Sequence, residues 1–164
     1  GALDSRKRGR LLVTEFLERV RPRVAGAELW LVSPDRAEGH GIVNLGTLDD
    51  AALAAAYRRA WVMCLPSAYE GFGRPYVEAM AAGTAVVASP NPGAEDVLDG
   101  GRYGAIAKDG WLADALVDML SNRAARERFT QAGLGRARQY DWSVVAAAYE
   151  RVYARVMEGR RGAA

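Results

Sequence analysis

Cysteine and histidine are almost missing from this chain of 164 residues, which has one of each, Cys64 and His40. A lone cysteine closes no internal disulfide, and one Cys with one His gives no cluster at structural-zinc spacing. Aromatic residues are sparse at 9%, against 26% charged and 50% hydrophobic, a balance that rules out a disordered composition and fits one ordinary folded domain. No apolar run approaches the roughly 20 residues of a membrane-spanning helix, and the basic start lacks the apolar stretch of a signal peptide. Excess charge is missing too. With 22 basic and 20 acidic residues the net charge is only +2, so nucleic acid is not implied as a partner. Basic residues gather at Arg6, Lys7, Arg8 and Arg10 and again at Arg160 and Arg161, without the interleaved aromatics on which single strands stack. Lysine itself is rare, Lys7 and Lys108 alone, so Lys7 stands out in a cluster of a size to hold a phosphate.

What is present is a rhythm of apolar runs and punctuation. Leu11, Leu12, Phe16, Leu17 and Val20 recur at helical spacing, and Pro22 with Gly26 closes the segment, which predicts a helix over 9–24. Short apolar runs at 28–32, 42–45, 61–65, 84–88 and 103–107 read as strands. Between them, Thr47 with Asp50 resembles a capping box before the alanine-rich helix to Arg59. Pro75 opens a helix that Gly83 ends, and a short helix fits 94–98. From Trp111 the chain reads helical. Leu112, Leu116, Met119 and Leu120 make one face, 123–138 a weaker segment broken at Gly133 and Gly135, and Val145, Tyr149, Val152 and Val156 a last amphipathic face over about 142–158, after an Asp141 cap. Trp30, Trp61 and Trp111 read as packing residues and Trp142 as the anchor of the final helix. Strands alternating with helices predict an α/β fold, a doubly wound parallel sheet with helices on both faces, whose ligands lie at the carboxyl ends of the strands.

Among those ends, the loop from Pro66 to Gly73 is the informative one. Gly71 and Gly73 turn the backbone tightly just before a helix, whose first N–H groups attract anions and electron-rich oxygens. Glu70 lies on the loop, and Glu78, eight residues later, about one turn into the helix. Two carboxylates so placed can accept from the hydroxyls of a sugar and a ribose. Acidic residues early in a helix and glycine-rich turns are also common structural features, so spacing alone leaves both readings open. Cys64 in an apolar strand reads as a small buried hydrophobe, and His40 as an exposed loop residue.

Glu70-Gly-Phe-Gly73, Glu78-Ala-Met-Ala81, the run from Gly83 to Ser89 and Glu95, taken in order, resemble the carboxyl-terminal half of retaining GT-B glycosyltransferases of the group 1, or family 4, type. The likeness runs from Gly1 to the helix at Trp142. It implies a Rossmann-like domain, 1–164, that binds a nucleoside diphosphate sugar, with Glu70 contacting the sugar beside the reacting carbon and Glu78 holding the ribose. Amides at Phe72 and Gly73 would approach the sugar. Lys7 falls at the family's diphosphate lysine, while Ala2 stands where arginine is usual, so Arg6 or Arg8 would substitute. No metal or other cofactor is implied. The acceptor-binding domain would precede Gly1, and a cytoplasmic enzyme is implied that reaches a membrane surface through that other half. Two further readings stay open: another GT-B-fold enzyme, a phosphorylase or sugar-nucleotide epimerase, and a non-catalytic Rossmann-like binding domain.

Overall fold

The computed structural model describes residues 2–161, so Gly1 and 162–164 lie outside the described residues. Helix α1, Gly9–Glu15, opens the order and passes into one π-helical turn, Phe16–Val20, closed by Arg21 N–H donating to Phe16 O at 2.8 Å. The helix therefore stops short of the expected residue 24, because Pro22 has no N–H to continue the ladder. Strands β1 (Leu29–Leu31) and β2 (Ile42–Asn44) follow, then α2 (Asp50–Arg59), β3 (Val62–Leu65), α3 (Arg74–Ala81), β4 (Ala85–Ala88), α4 (Pro92–Val97) and β5 (Ala105–Ile106). Helices α5 (Leu112–Ser121), α6 (Arg123–Ala137) and α7 (Trp142–Arg161) complete the chain, with a 3-10 turn over Arg138–Tyr140 between the last two. Every strand pairing is parallel. The architecture is the expected parallel α/β one, with a difference: the described strands form two units, β1-β2 and β3-β4-β5.

Strand β4 is the axis of the core because all four of its residues are buried. Period-2 alternation sends Ala85 and Val87 to one face, where Leu12, Phe16 and Val20 join Leu112, Leu116, Met119 and Phe129. Val86 and Ala88 face the other side, against Tyr76, Ala79 and Met80 of α3 and Ala94, Val97 and Leu98 around α4. The helices thus lie on both faces. Between β1 and β3 runs an apolar cavity of about 690 Å³, walled by Leu12 and Phe16 on one side and Leu53 and Tyr57 on the other.

Local chemistry departs from the sequence reading at several points. Asp49, not Thr47, caps α2, its carboxylate accepting from Ala52 N–H at 2.8 Å. The predicted 94–98 helix begins earlier, at Pro92, with Asn91 as its cap. Gly133 and Gly135 do not break α6. A side chain at Gly133 would sit 2.9 Å from Met80 Cγ, so this glycine lets α6 close against α3. Trp61, Trp111 and Trp142 are exposed rather than packed. Arg126 stacks over Trp61 at 4.4 Å and Arg59 over half-buried Trp30 at 4.9 Å, which shields those rings without burying them. The final helix also keeps its apolar residues outward: Tyr149, Val152 and Val156 are exposed, and Val145 is only half-buried. Periodicity identified that helix, but nothing among the described residues covers its apolar face.

Candidate functional site

Three segments converge on the carboxyl end of β3. The first is the turn from Ala2 to Arg8, held at one side by Leu3 N–H donating to the Asp35 carboxylate at 2.7 Å, in the loop after β1. At its other side Ala68 N–H donates to Arg6 O at 2.8 Å, and Arg8 Nε donates to Pro66 O at 2.6 Å. Arg8 sits at φ 52, a left-handed conformation unusual for a non-glycine, and its guanidinium also spans both oxygens of Asp109 at 3.0 Å. The basic cluster is therefore a built turn joining the loops after β1 and β3.

The second segment is the loop after β3. Ser67 is fully buried and its hydroxyl donates to Glu70 Oε1 at 2.8 Å. Arg6 Nη1 reaches the same oxygen at 2.8 Å and also donates to Tyr69 O. Burial by itself would raise the pKa of Glu70, but the hydrogen bonds from Ser67 and Arg6, with the charges of Arg6 and Lys7, hold it below the ordinary carboxylate value. Glu70 is thus a buried carboxylate that remains ionised beside two cations. Gly73 caps α3 at φ 90, where a side chain would meet the Tyr76 ring at 2.5 Å. Phe72 is half exposed and packs edge-on to Tyr140, ring centres 5.4 Å apart.

Helix α4 and the residue that caps it form the third segment. Asn91 Nδ2 reaches Ser67 O at 3.2 Å, Ser89 O at 3.0 Å and Tyr76 Oη at 3.2 Å, while its Oδ1 accepts from Ala94 N–H at 3.0 Å. Gly93 N–H donates to Glu70 O at 3.0 Å. A Cβ on Gly93 would lie 2.7 Å from Glu70 O and 2.8 Å from Phe72 C, so only glycine lets α4 approach this loop.

The expected residues divide accordingly. Arg6, Lys7 and Glu70 are brought together, and Gly73 stands at the helix start as expected. Lys7 and Glu78 both line the cavity between β1 and β3, near the carboxyl ends of these strands, with Ser33, Pro66 and Pro75. Glu78 pairs with Arg74 at 2.8 Å, one turn back on α3. Across from it, burial first and the Glu78 carboxylate second push the Tyr57 hydroxyl up to about 12. Glu95 is exposed on α4. Burial likewise pushes the Cys64 thiol up to about 12, which keeps it protonated near neutral pH. Sequence reasoning gave no site role to Ser67 and Gly93, and noted Asn91-Pro92 only as standing where the family commonly has a glycine pair. Their one sequence signal was position: Ser67 stands three residues before Glu70, and Asn91-Pro92-Gly93 opens a helix at the next strand end.

A parallel α/β frame with helices on both faces defines a Rossmann-like domain, and its paired cations and buried carboxylate lie at the strand ends where such folds hold ligands. Residues 31–136 match the family described as glycosyl transferases group 1, and the chain belongs to that family. It is 40% identical, over 93% of its length, to a phosphatidyl-myo-inositol mannosyltransferase of Mycobacterium leprae (strain TN), of which it covers 44%. A glycogen synthase of Mycobacterium tuberculosis (strain CDC 1551 / Oshkosh) is 34% identical over 80% of the chain and 33% of that protein. The sucrose-phosphate synthase structure from Thermosynechococcus elongatus superposes with a TM-score of 0.80 at 25% identity, over 97% of this chain and 44% of that one. The chain therefore spans less than half the length of these relatives. Among the described residues, no helix is long and apolar enough to cross a membrane.

Proposed function

We propose that this chain is the donor-binding half of a retaining glycosyltransferase, taking a nucleoside diphosphate sugar and supplying it to an acceptor held by a separate domain. The observation that carries the reading is the ionised Glu70 carboxylate, buried at the end of β3 with Arg6 and Lys7 beside it. A sugar offers hydroxyls to the carboxylate and a diphosphate offers charge to the cations, so one ligand satisfies both. Lys7 and Arg6 take the diphosphate, Glu70 orients the sugar, and the amides at Phe72 and Gly73 approach its oxygens. Glu78 accepts from the ribose once it turns from Arg74.

Departure of the nucleoside diphosphate leaves a new negative charge. Lys7, Arg6 and the amino end of α3 stabilise it, without a metal in this reading. Glu70 also faces the positive charge that develops at the anomeric carbon. In this reading the enzyme works in the cytoplasm with its acceptor-binding half at a membrane surface, a location that the phosphatidyl-myo-inositol in the name of its mannosyltransferase relatives supports. Calorimetric titration with UDP, GDP, ADP and their sugar conjugates tests the donor reading. One nucleotide should bind saturably, and Lys7→Ala and Glu78→Ala should each weaken it about tenfold, the equivalent of about 1.4 kcal/mol. Unchanged affinity in both variants, or no binding of any nucleotide, would sink it.

A further inference from the structure

We propose that Ser67 is a positioning residue that fixes the Glu70 carboxylate so that Oε2 is the oxygen offered to a sugar hydroxyl. The inference rests on the donor reading and deepens it, because it assigns the control of sugar contact to a side chain behind the carboxylate. Both short contacts of Glu70 fall on Oε1, from Ser67 Oγ at 2.8 Å and from Arg6 Nη1 at 2.8 Å. The Ser67 hydroxyl takes one lone-pair direction of Oε1 and the Arg6 charge pairs with the same oxygen, while among the described residues no hydrogen bond falls on Oε2, which stays available to an incoming donor. The two Oε1 partners are unequal. The Arg6 side chain is 52% exposed, whereas Ser67 is fully buried. Arg6 can therefore leave the carboxylate for a phosphate, and Ser67 stays.

The backbone beneath this pair is pinned from a different element. Asn91 Nδ2 reaches Ser67 O at 3.2 Å, and Gly93 N–H holds Glu70 O at 3.0 Å. The missing side chain of Gly93 removes the clash that would lift the loop. With the main chain of both residues tied to α4 and its cap, the remaining freedom of Glu70 is side-chain rotation, and the Ser67 hydroxyl removes it. Such pre-organisation matters for an acceptor whose ligand is a hydroxyl, since a carboxylate free to rotate must be ordered at binding.

The test compares each bare nucleotide with its sugar conjugate: UDP with UDP-glucose, GDP with GDP-mannose, ADP with ADP-glucose. The ratio of the two Kd values is the gain due to the sugar. Ser67→Ala should cut that gain about tenfold while leaving the bare nucleotide within about twofold, and should add no loss in a Glu70→Ala background. If Ser67→Ala also loses the bare nucleotide, Ser67→Cys, close in volume but a weak donor, makes the same comparison and should likewise reduce the gain. A wild-type gain that survives in these variants overturns the role of Ser67 alone. A wild-type chain that gains nothing from any sugar overturns the sugar reading of Glu70, and this inference with it.

Discussion

Replacing Gly93 by alanine isolates the contact between α4 and the Glu70 loop. The new Cβ would lie 2.7 Å from Glu70 O, 2.8 Å from Phe72 C and 2.9 Å from Phe72 O, all of them backbone atoms. Ordinary contact begins near 3.4 Å, so α4 or the loop must move by roughly 0.5 Å or more, which also strains the Gly93 N–H bond to Glu70 O. Overpacking of this kind costs about 1–3 kcal/mol, and a weakened hydrogen bond adds up to about 1 kcal/mol. Against this, alanine reduces unfolded-chain entropy, stabilising by about 0.4–1 kcal/mol. The net loss is about 2 kcal/mol, a fall in Tm of about 4–8 °C for a domain of this size. Thermal unfolding followed by circular dichroism reads it directly. Gly135→Ala is the control, since nothing lies within 4 Å of the Cβ it would gain and alanine improves the helix by about 1 kcal/mol. It should stay within about 1 kcal/mol of wild type. An unchanged Tm in Gly93→Ala, or a larger fall in Gly135→Ala, would refute the view that the α4 approach depends on glycine.

Two other expectations follow from single interactions. Asp49→Ala should cost about 1 kcal/mol by removing the cap of α2, while Thr47→Ala should leave the Tm unchanged; the reverse result would restore the capping box. Glu70 is held below its ordinary carboxylate value, so its contribution is complete above the unfolded pKa of about 4.3 and is lost as pH falls through the lower folded value. Denaturant unfolding at stepped pH should show wild type losing stability below about pH 4 more steeply than Glu70→Gln, and parallel curves would contradict the ionised, partnered state.

The elements were legible in the sequence wherever the controlling interaction was local. Apolar runs marked all five strands of the described residues, and the Pro75 start and Gly83 stop bracketed α3 because both act through their own backbone. The misreadings concern tertiary contact. Gly133 looks like a helix breaker until Met80 is seen in the space its side chain would occupy. Trp61 and Trp111 carry apolar rings that suggest burial, and arginine stacking over Trp61 left no such mark in the pattern. At the site, Glu70 and Glu78 stood out through the family wording, since their spacing alone left both readings open. Ser67 did not, because a serine in a loop is ordinary until its hydroxyl is found buried against a carboxylate. The division of the strands into two units was invisible too, since apolar runs announce strands and not their neighbours.

That division grades the mechanical coherence of the domain. Strand β4 has a partner on each side and is fully buried, whereas β1 and β2 have only each other and are mostly half-buried. Amide protons of β4 should therefore exchange with solvent only through near-global opening, and those of β1 and β2 through smaller local openings. Ser67 and Glu70 follow β3, and Asn91 and Gly93 follow β4 and bind their carbonyls, so all four are attached to that three-stranded unit. Arg6 belongs with them in spite of its place near the chain's start, because Ala68 N–H ties its carbonyl to the β3 loop. The main chain beneath the carboxylate and that of this cation are thus joined directly, while the exposed Arg6 side chain keeps its freedom to move.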